Sequence, residues 1–143
     1  MSAALDDLTG VLAAQADELR RLLPLLEAQQ AAVTGADSGR VAALMSGQAP
    51  ILRRLVRLDQ RRQAAARSLA AELGVPGRPT LSALADRLTD EAPLRALQRE
   101  VRTLLEAVDV RSRRNALLLD RAAACIEGLV RAVMGAGRVD VRA

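Results

Sequence analysis

With 143 residues, half of them apolar and none of them Phe, Tyr, Trp, His or Lys, the chain is long enough for one domain with a real core. No His and a single Cys exclude the usual metal sites and a His-activated nucleophile, and neither a carboxylate pair nor a phosphate-binding loop appears, so we expect no enzyme, no metal and no cofactor. The net charge is only +4, with acidic residues interspersed, so nucleic acid is not an expected partner.

The amino terminus and the most apolar window of the chain indicate whether the protein is expected to be secreted or inserted in a membrane. The amino terminus is acidic and lacks the basic segment of a signal peptide. The most apolar window, 116–134, contains Asp120, Arg121, Glu127 and Arg131, which are too many charges for a membrane span. We therefore expect a soluble, cytoplasmic protein without membrane insertion.

The composition predicts an all-α fold. Leu, Ala, Arg, Gln and Glu form helices readily, whereas the aromatic and β-branched residues that strands prefer are missing or scarce. We predict one elongated antiparallel bundle over 1–143, with three long helices and one short helix. The helices are expected at about 3–34, 39–73, 80–89 and 91–134, followed by a mobile tail at 135–143.

The first predicted helix carries a regular heptad column, which reads Leu5, Leu12, Leu19, Leu26, Val33. Gln15 and Gln29 interrupt the companion column, which also contains Leu8 and Leu22. Pro24 removes one backbone hydrogen bond, so we expect a kink there and not a break. Gly35 is the expected C-cap, and Asp37 or Ser38 the next N-cap.

The second predicted helix follows a short connection, which favours antiparallel neighbours. Gly47 and Pro50 weaken its first third, so we expect a kink or a brief interruption at about 46–50. The segment 74–79, with two glycines and two prolines, is the strongest break in the sequence. Thr80 is then positioned to cap the short third helix and Asp90 to cap the fourth.

The last predicted helix is the longest, and its apolar stripe continues to its end. At about 40 residues it would extend roughly 60 Å, farther than the first two helices reach. Arg111 and Asn115 interrupt the stripe, and we expect Arg111 to extend to the bundle edge or to pair with an acidic residue such as Asp109 or Glu106. Asn115 either fixes the register of the bundle or orients a partner.

The distal part of this helix is the predicted partner-binding face, because an extended apolar stripe at the end of a bundle suits an amphipathic segment. The residues assigned to it are Asn115, Leu118, Leu119, Ala122, Ile126, Leu129, Val130 and Val133. Cys125 lies on the apolar face of this helix, where we expect a small buried thiol.

An Arg-rich run, 53–62, is a separate feature. Arg54, Arg57 and Arg61 share one helix face that could line phosphates. Without aromatic side chains for stacking, a solvated face is favoured over nucleic-acid binding, and contact with an acidic protein remains an alternative.

Nearly the whole chain resembles the flagellar export chaperones of the FlgN family. The resemblance rests on the long leucine-rich first helix, the turn with Gly35 and Asp37, the Leu73-Gly74 break, and the last helix with Arg113-Arg-Asn-Ala-Leu-Leu-Leu119. It implies a cytoplasmic, non-enzymatic chaperone that binds the terminal region of hook-filament junction proteins of the FlgK and FlgL type. It also implies delivery of these clients to the export gate and ATPase components of the flagellar type III apparatus.

One departure from the family pattern concerns the end of the chain. Family members often have a Tyr shortly before a Gly after the last helix, whereas residues 138–143 include no aromatic residue, so gate docking through such a ring is in doubt. The main alternative is a self-associating coiled-coil scaffold in which the Leu5–Val33 heptads pair between identical chains. An Arg-lined nucleic-acid binder ranks below it, and the sequence leaves monomer and homodimer open.

Overall fold

The computed structural model describes residues 2–134, with the side chains at 126, 129, 133 and 134 excepted. It consists of α1 (Ala3–Thr34), α2 (Ser38–Leu73), α3 (Leu81–Asp86) and α4 (Ala92–Met134). No strand occurs within 2–134, and the all-α prediction is confirmed. α3 is shorter than expected, because the amides of Arg87 and Leu88 bond three residues back, to Leu84 and Ala85, in a tighter turn.

Short polar side chains begin the helices as the sequence predicted. The Asp37 carboxylate accepts a hydrogen bond from the backbone N–H of Arg40 at 3.1 Å, and the Thr80 hydroxyl accepts one from Ala83 at 3.0 Å. Gly35 follows α1 as expected, but the left-handed residue of the connection is Ala36, at φ 54°. α2 ends at Gly74, whose φ of 68° is a conformation that glycine adopts without strain.

Both internal prolines lie within continuous helices. Pro24 is inside α1 and Pro50 inside α2, so the interruption considered for 46–50 does not occur. Leu44, Gln48 and Ile51 are all buried across that stretch of α2. Packing on this face stabilises the helix against the loss of one backbone hydrogen bond at Pro50.

α1 is the central helix of the bundle. It packs against α2 on one side and α4 on the other, whereas the α2 and α4 backbones do not approach each other closely within the described residues. The pairs Glu18–Arg54 and Gln29–Gln48 show that α2 runs antiparallel to α1. Arg20–Glu100 and Glu27–Arg111 show that α4 runs parallel to it.

The main core lies in the half of the bundle nearest α3. Its most deeply buried large side chains are leucines of all four helices, namely Leu8, Leu12, Leu19, Leu69, Leu84 and Leu94. Leu84 and Ala85 bring the short α3 into this core, where both are fully buried. A smaller cluster of Leu22, Leu26 and Ile51 continues the core toward the α1–α2 connection.

A buried polar layer follows this second cluster and joins the three long helices. The Gln29 side-chain oxygen accepts hydrogen bonds from Gln48 of α2 at 3.0 Å and from Asn115 of α4 at 3.2 Å. The Asn115 amide also donates to the Leu26 carbonyl at 2.8 Å. All three amide side chains are at most 8% exposed. Such a layer favours the register in which its members meet, since any shift leaves them buried without partners.

Replacement of the layer's shared acceptor should destabilise the bundle. We expect Gln29→Leu to lower the free energy of unfolding by about 1–3 kcal/mol, because Gln48 and Asn115 lose a hydrogen-bond acceptor while still buried. Urea unfolding followed by circular dichroism measures this change.

Gln15→Leu is the matched control, since Gln15 belongs to the same heptad column, is 8% exposed, and its side-chain oxygen has no hydrogen-bond partner in the described part of the chain. This control should be neutral or stabilising. The triple replacement of Gln29, Gln48 and Asn115 by Leu should recover most of the stability, because it leaves no polar group of the layer unpaired. If the layer does not contribute to stability, Gln29→Leu should change the free energy of unfolding no more than Gln15→Leu does.

Candidate functional site

The distal part of α4 extends beyond the helix on which it packs. Asn115 lies beside Leu26 and Gln29 of α1. From Asn115, α4 continues to Met134, about 28 Å at 1.5 Å per residue, whereas α1 continues from Gln29 to Thr34, only about 8 Å. The end of α4 therefore extends roughly 20 Å beyond the end of α1.

The exposure of α4 changes at the same position. Leu94, Val101 and Asn115 are buried, but after Asn115 none of the described side chains of α4 is buried. We call the segment 116–134 the α4 overhang. It is a helix whose apolar residues, spaced for one face, have no helix of the described chain to cover them completely.

The structure places most of the predicted partner-binding residues on this overhang. Leu118, Leu119, Ala122 and Val130 are half-buried. The side chains of Ile126, Leu129 and Val133 lie outside the described residues, so their assignment remains a prediction.

Asn115 is the exception among the predicted partner-binding residues. It is 3% exposed and hydrogen-bonded to α1, so its side chain is not accessible to a partner in this structure. Its position favours the alternative that it fixes the register of the bundle. Its other side-chain atom, Oδ1, has no hydrogen-bond partner in the described part of the chain.

Two further expectations for α4 are corrected by the structure. Arg111 pairs with Glu27 of α1 at 3.1 Å, and not with Asp109 or Glu106, because α4 runs beside α1 and brings the Glu27 carboxylate within reach. Cys125 is exposed and not buried, since it lies on the overhang beyond the end of α1.

The apolar heptad column of α1 packs against other helices of the same chain. Leu12, Leu19 and Leu26 are at most 4% exposed, because α1 is the central helix and packs against α2 and α4. These residues are therefore not available to pair with a second copy. The alternative of a self-associating coiled-coil scaffold required such pairing, so the structure does not favour it.

Some arginines of the Arg-rich run, 53–62, form ion pairs within the chain. Arg54 pairs with Glu18 of α1 at 2.9 Å, and Arg62 pairs with Asp59 at the same distance. Of the three arginines that share a face, one is thus held by an ion pair within the chain, which leaves a smaller basic surface than the sequence suggested.

An exposed apolar strip on α2 was missed by the sequence reasoning. Met45, Leu52 and Val56 are 51%, 48% and 59% exposed. Their spacing of seven and four residues places them on one face, which is a signal visible in the sequence. It was obscured by Leu44, Ile51 and Leu55, which form the adjacent core-facing column.

Within the described part of the chain, none of the helices combines the length and the apolar character that a membrane crossing requires. No curated protein and no solved structure matches the chain. The family model described as FlgN protein matches residues 1–139, nearly the whole sequence. The chain therefore belongs to the FlgN family, a family of flagellar type III export chaperones.

Proposed function

We propose that this protein is a cytoplasmic chaperone for hook-filament junction proteins of the FlgK and FlgL type, and that it presents them to the flagellar export apparatus. Membership of the FlgN family supports the chaperone role. The observation that favours the α4 overhang as the client site is the loss of burial after Asn115, where α4 leaves α1. The client is expected to be an amphipathic terminal segment, which folds as a helix on the overhang.

The energetics of the overhang suit this role. Half-buried Leu118, Leu119 and Val130 retain apolar surface that a client helix can remove from water. Each large side chain that becomes fully buried contributes at most about 1.5–3 kcal/mol, from which the cost of ordering the client is subtracted. A few such contacts are sufficient for reversible binding, which delivery of a client to the export apparatus requires.

The overhang should be needed for binding and not for folding. We expect Val130→Asp to weaken binding of a terminal FlgK- or FlgL-type peptide by roughly tenfold or more, because a carboxylate replaces an apolar contact. The same variant should retain nearly all of its helical signal and its unfolding midpoint, since Val130 has no covering helix. Fluorescence anisotropy and circular dichroism measure the two effects.

Val101→Asp is the matched control, with the same replacement on the same helix at a site that is 8% exposed in the main core. It should unfold the protein or lower its stability severely. If Val130→Asp destabilises the fold as much as Val101→Asp, the overhang is part of the core and the proposed site is wrong. If Val130→Asp leaves both binding and folding unchanged, the client binds elsewhere.

Client binding should depend only weakly on salt, because apolar burial dominates it. Between roughly 50 and 500 mM NaCl we expect the dissociation constant of the peptide to change by less than about tenfold. A loss of several orders of magnitude would instead indicate that arginines carry the interaction with a polyanionic ligand. Titrations at four or five salt concentrations give the slope.

A further inference from the structure

The apolar strip of α2, defined by Met45, Leu52 and Val56, lies on a different helix from the overhang. Each of these side chains is about half exposed. Ala49, between them on the same face, is half-buried and small, so the strip is continuous over about three helical turns. Leu52 and Val56 line a shallow surface depression of about 490 Å³, together with Arg53 and Arg57.

The charge beside the strip is one-sided. Arg53 and Arg57 have no acidic partner within the described residues, in contrast to Arg54, which bonds to Glu18. The only acidic residues of α2 are Asp59 and Glu72, and Asp59 is occupied by Arg62 and Gln63. The two free guanidinium groups therefore border apolar side chains without a neutralising carboxylate.

The combination of exposed apolar side chains and unpaired arginines indicates which kind of partner would bind to the α2 strip. A second copy packed strip to strip would bring the same arginines together, and like charges at such an interface are unfavourable. Nucleic acid would use the arginines but not the apolar residues, and the chain has no aromatic side chain for base stacking. An amphipathic helix with carboxylates beside its apolar face would satisfy both the apolar residues and the charges.

We propose that the α2 strip is a docking site for an acidic amphipathic helix of a partner protein. Apolar residues of that helix, spaced by three and four, pack on Met45, Leu52 and Val56, while Glu or Asp beside them pair with Arg53 and Arg57. This docking site is separate from the client site, since it lies on a different helix and includes charged residues. It gives the protein a second surface, at which binding weakens with added salt, whereas binding at the overhang depends only weakly on salt.

A designed peptide tests the proposal without knowledge of the natural partner. The probe has about three heptads, with Leu at a and d and Glu at the flanking e and g positions. Its counterpart carries Lys at the same e and g positions. We expect the full chain to bind the Glu peptide and to bind the Lys peptide at least about tenfold more weakly at low salt.

Two double variants separate the contributions to binding. Arg53→Glu with Arg57→Glu should weaken binding of the Glu peptide by roughly tenfold or more. Leu52→Ser with Val56→Ser should weaken it to a similar extent, because the apolar contacts are lost. All four side chains are exposed, so circular dichroism should show an unchanged fold.

Arg40→Glu with Arg99→Glu is the charge-matched control. Both residues are exposed and have no acidic partner within the described residues. Arg40 precedes the strip on α2 but faces nearly the opposite side of that helix, and Arg99 lies on α4. This control and Val130→Asp should each leave the Glu-peptide affinity within about threefold, as expected for distant sites. Loss of Glu-peptide binding in Val130→Asp would show that this peptide binds at the overhang, and it would overturn the proposal. Failure of the overhang to bind the client peptide would leave the proposal of a docking site on α2 intact.

Other results would also overturn it. Absence of Glu-peptide binding would do so directly. Equal weakening by the Arg40 and Arg99 pair would show that only net charge matters. Competition by a single-stranded oligonucleotide, combined with no effect of the Leu52 and Val56 pair, would identify a nucleic-acid face. Dissociation of a dimer by the Leu52 and Val56 pair, seen in sedimentation, would identify a second copy as the occupant.

Discussion

The three long helices are arranged around α1, which packs against α2 on one side and against α4 on the other. With no aromatic residue to fill space, the core is built mainly from leucine and alanine, and α1 supplies the largest share of its fully buried leucines. The buried layer of Gln29, Gln48 and Asn115 then favours one axial register for the three long helices. A leucine-rich interface alone would tolerate several registers, since its apolar contacts are nondirectional, whereas buried amides must meet specific partners.

The register has a direct consequence for function. Because Asn115 is held beside Leu26 and Gln29, the length of α4 beyond it cannot be absorbed by sliding, and α4 must outreach α1. The bundle therefore leaves an apolar helical segment without complete cover at one end, which is the kind of surface that the proposed amphipathic client would require. The α2 strip adds a surface of another kind, in which free arginines accompany the apolar residues. The proposed client and the proposed second partner would in this way be held by separate parts of a small bundle.

Much of the fold was predictable from the sequence, because helix periodicity and capping are local properties. The caps at Asp37 and Thr80 and the ends at Gly35 and Gly74 follow from residue type. The tertiary partners were not predictable in the same way. The pairing of Arg111 with Glu27 depends on the alignment of two helices separated by most of the chain, and so does the burial of Asn115. For the candidate site, spacing predicted the apolar face of α4, but the exposure of Cys125 and of the α2 strip depends on where the neighbouring helices end or turn away.

Amide hydrogen exchange along α4 would show whether this helix is held by the bundle up to Asn115 and free beyond it. We expect strong protection of the amides from about Val101 to Asn115 and weak protection from about Ala122 onward. When a terminal FlgK- or FlgL-type peptide is added, we expect new protection that is confined to this distal part. Uniform protection along α4 in the free protein, or client-induced protection confined to the proximal half, would contradict it.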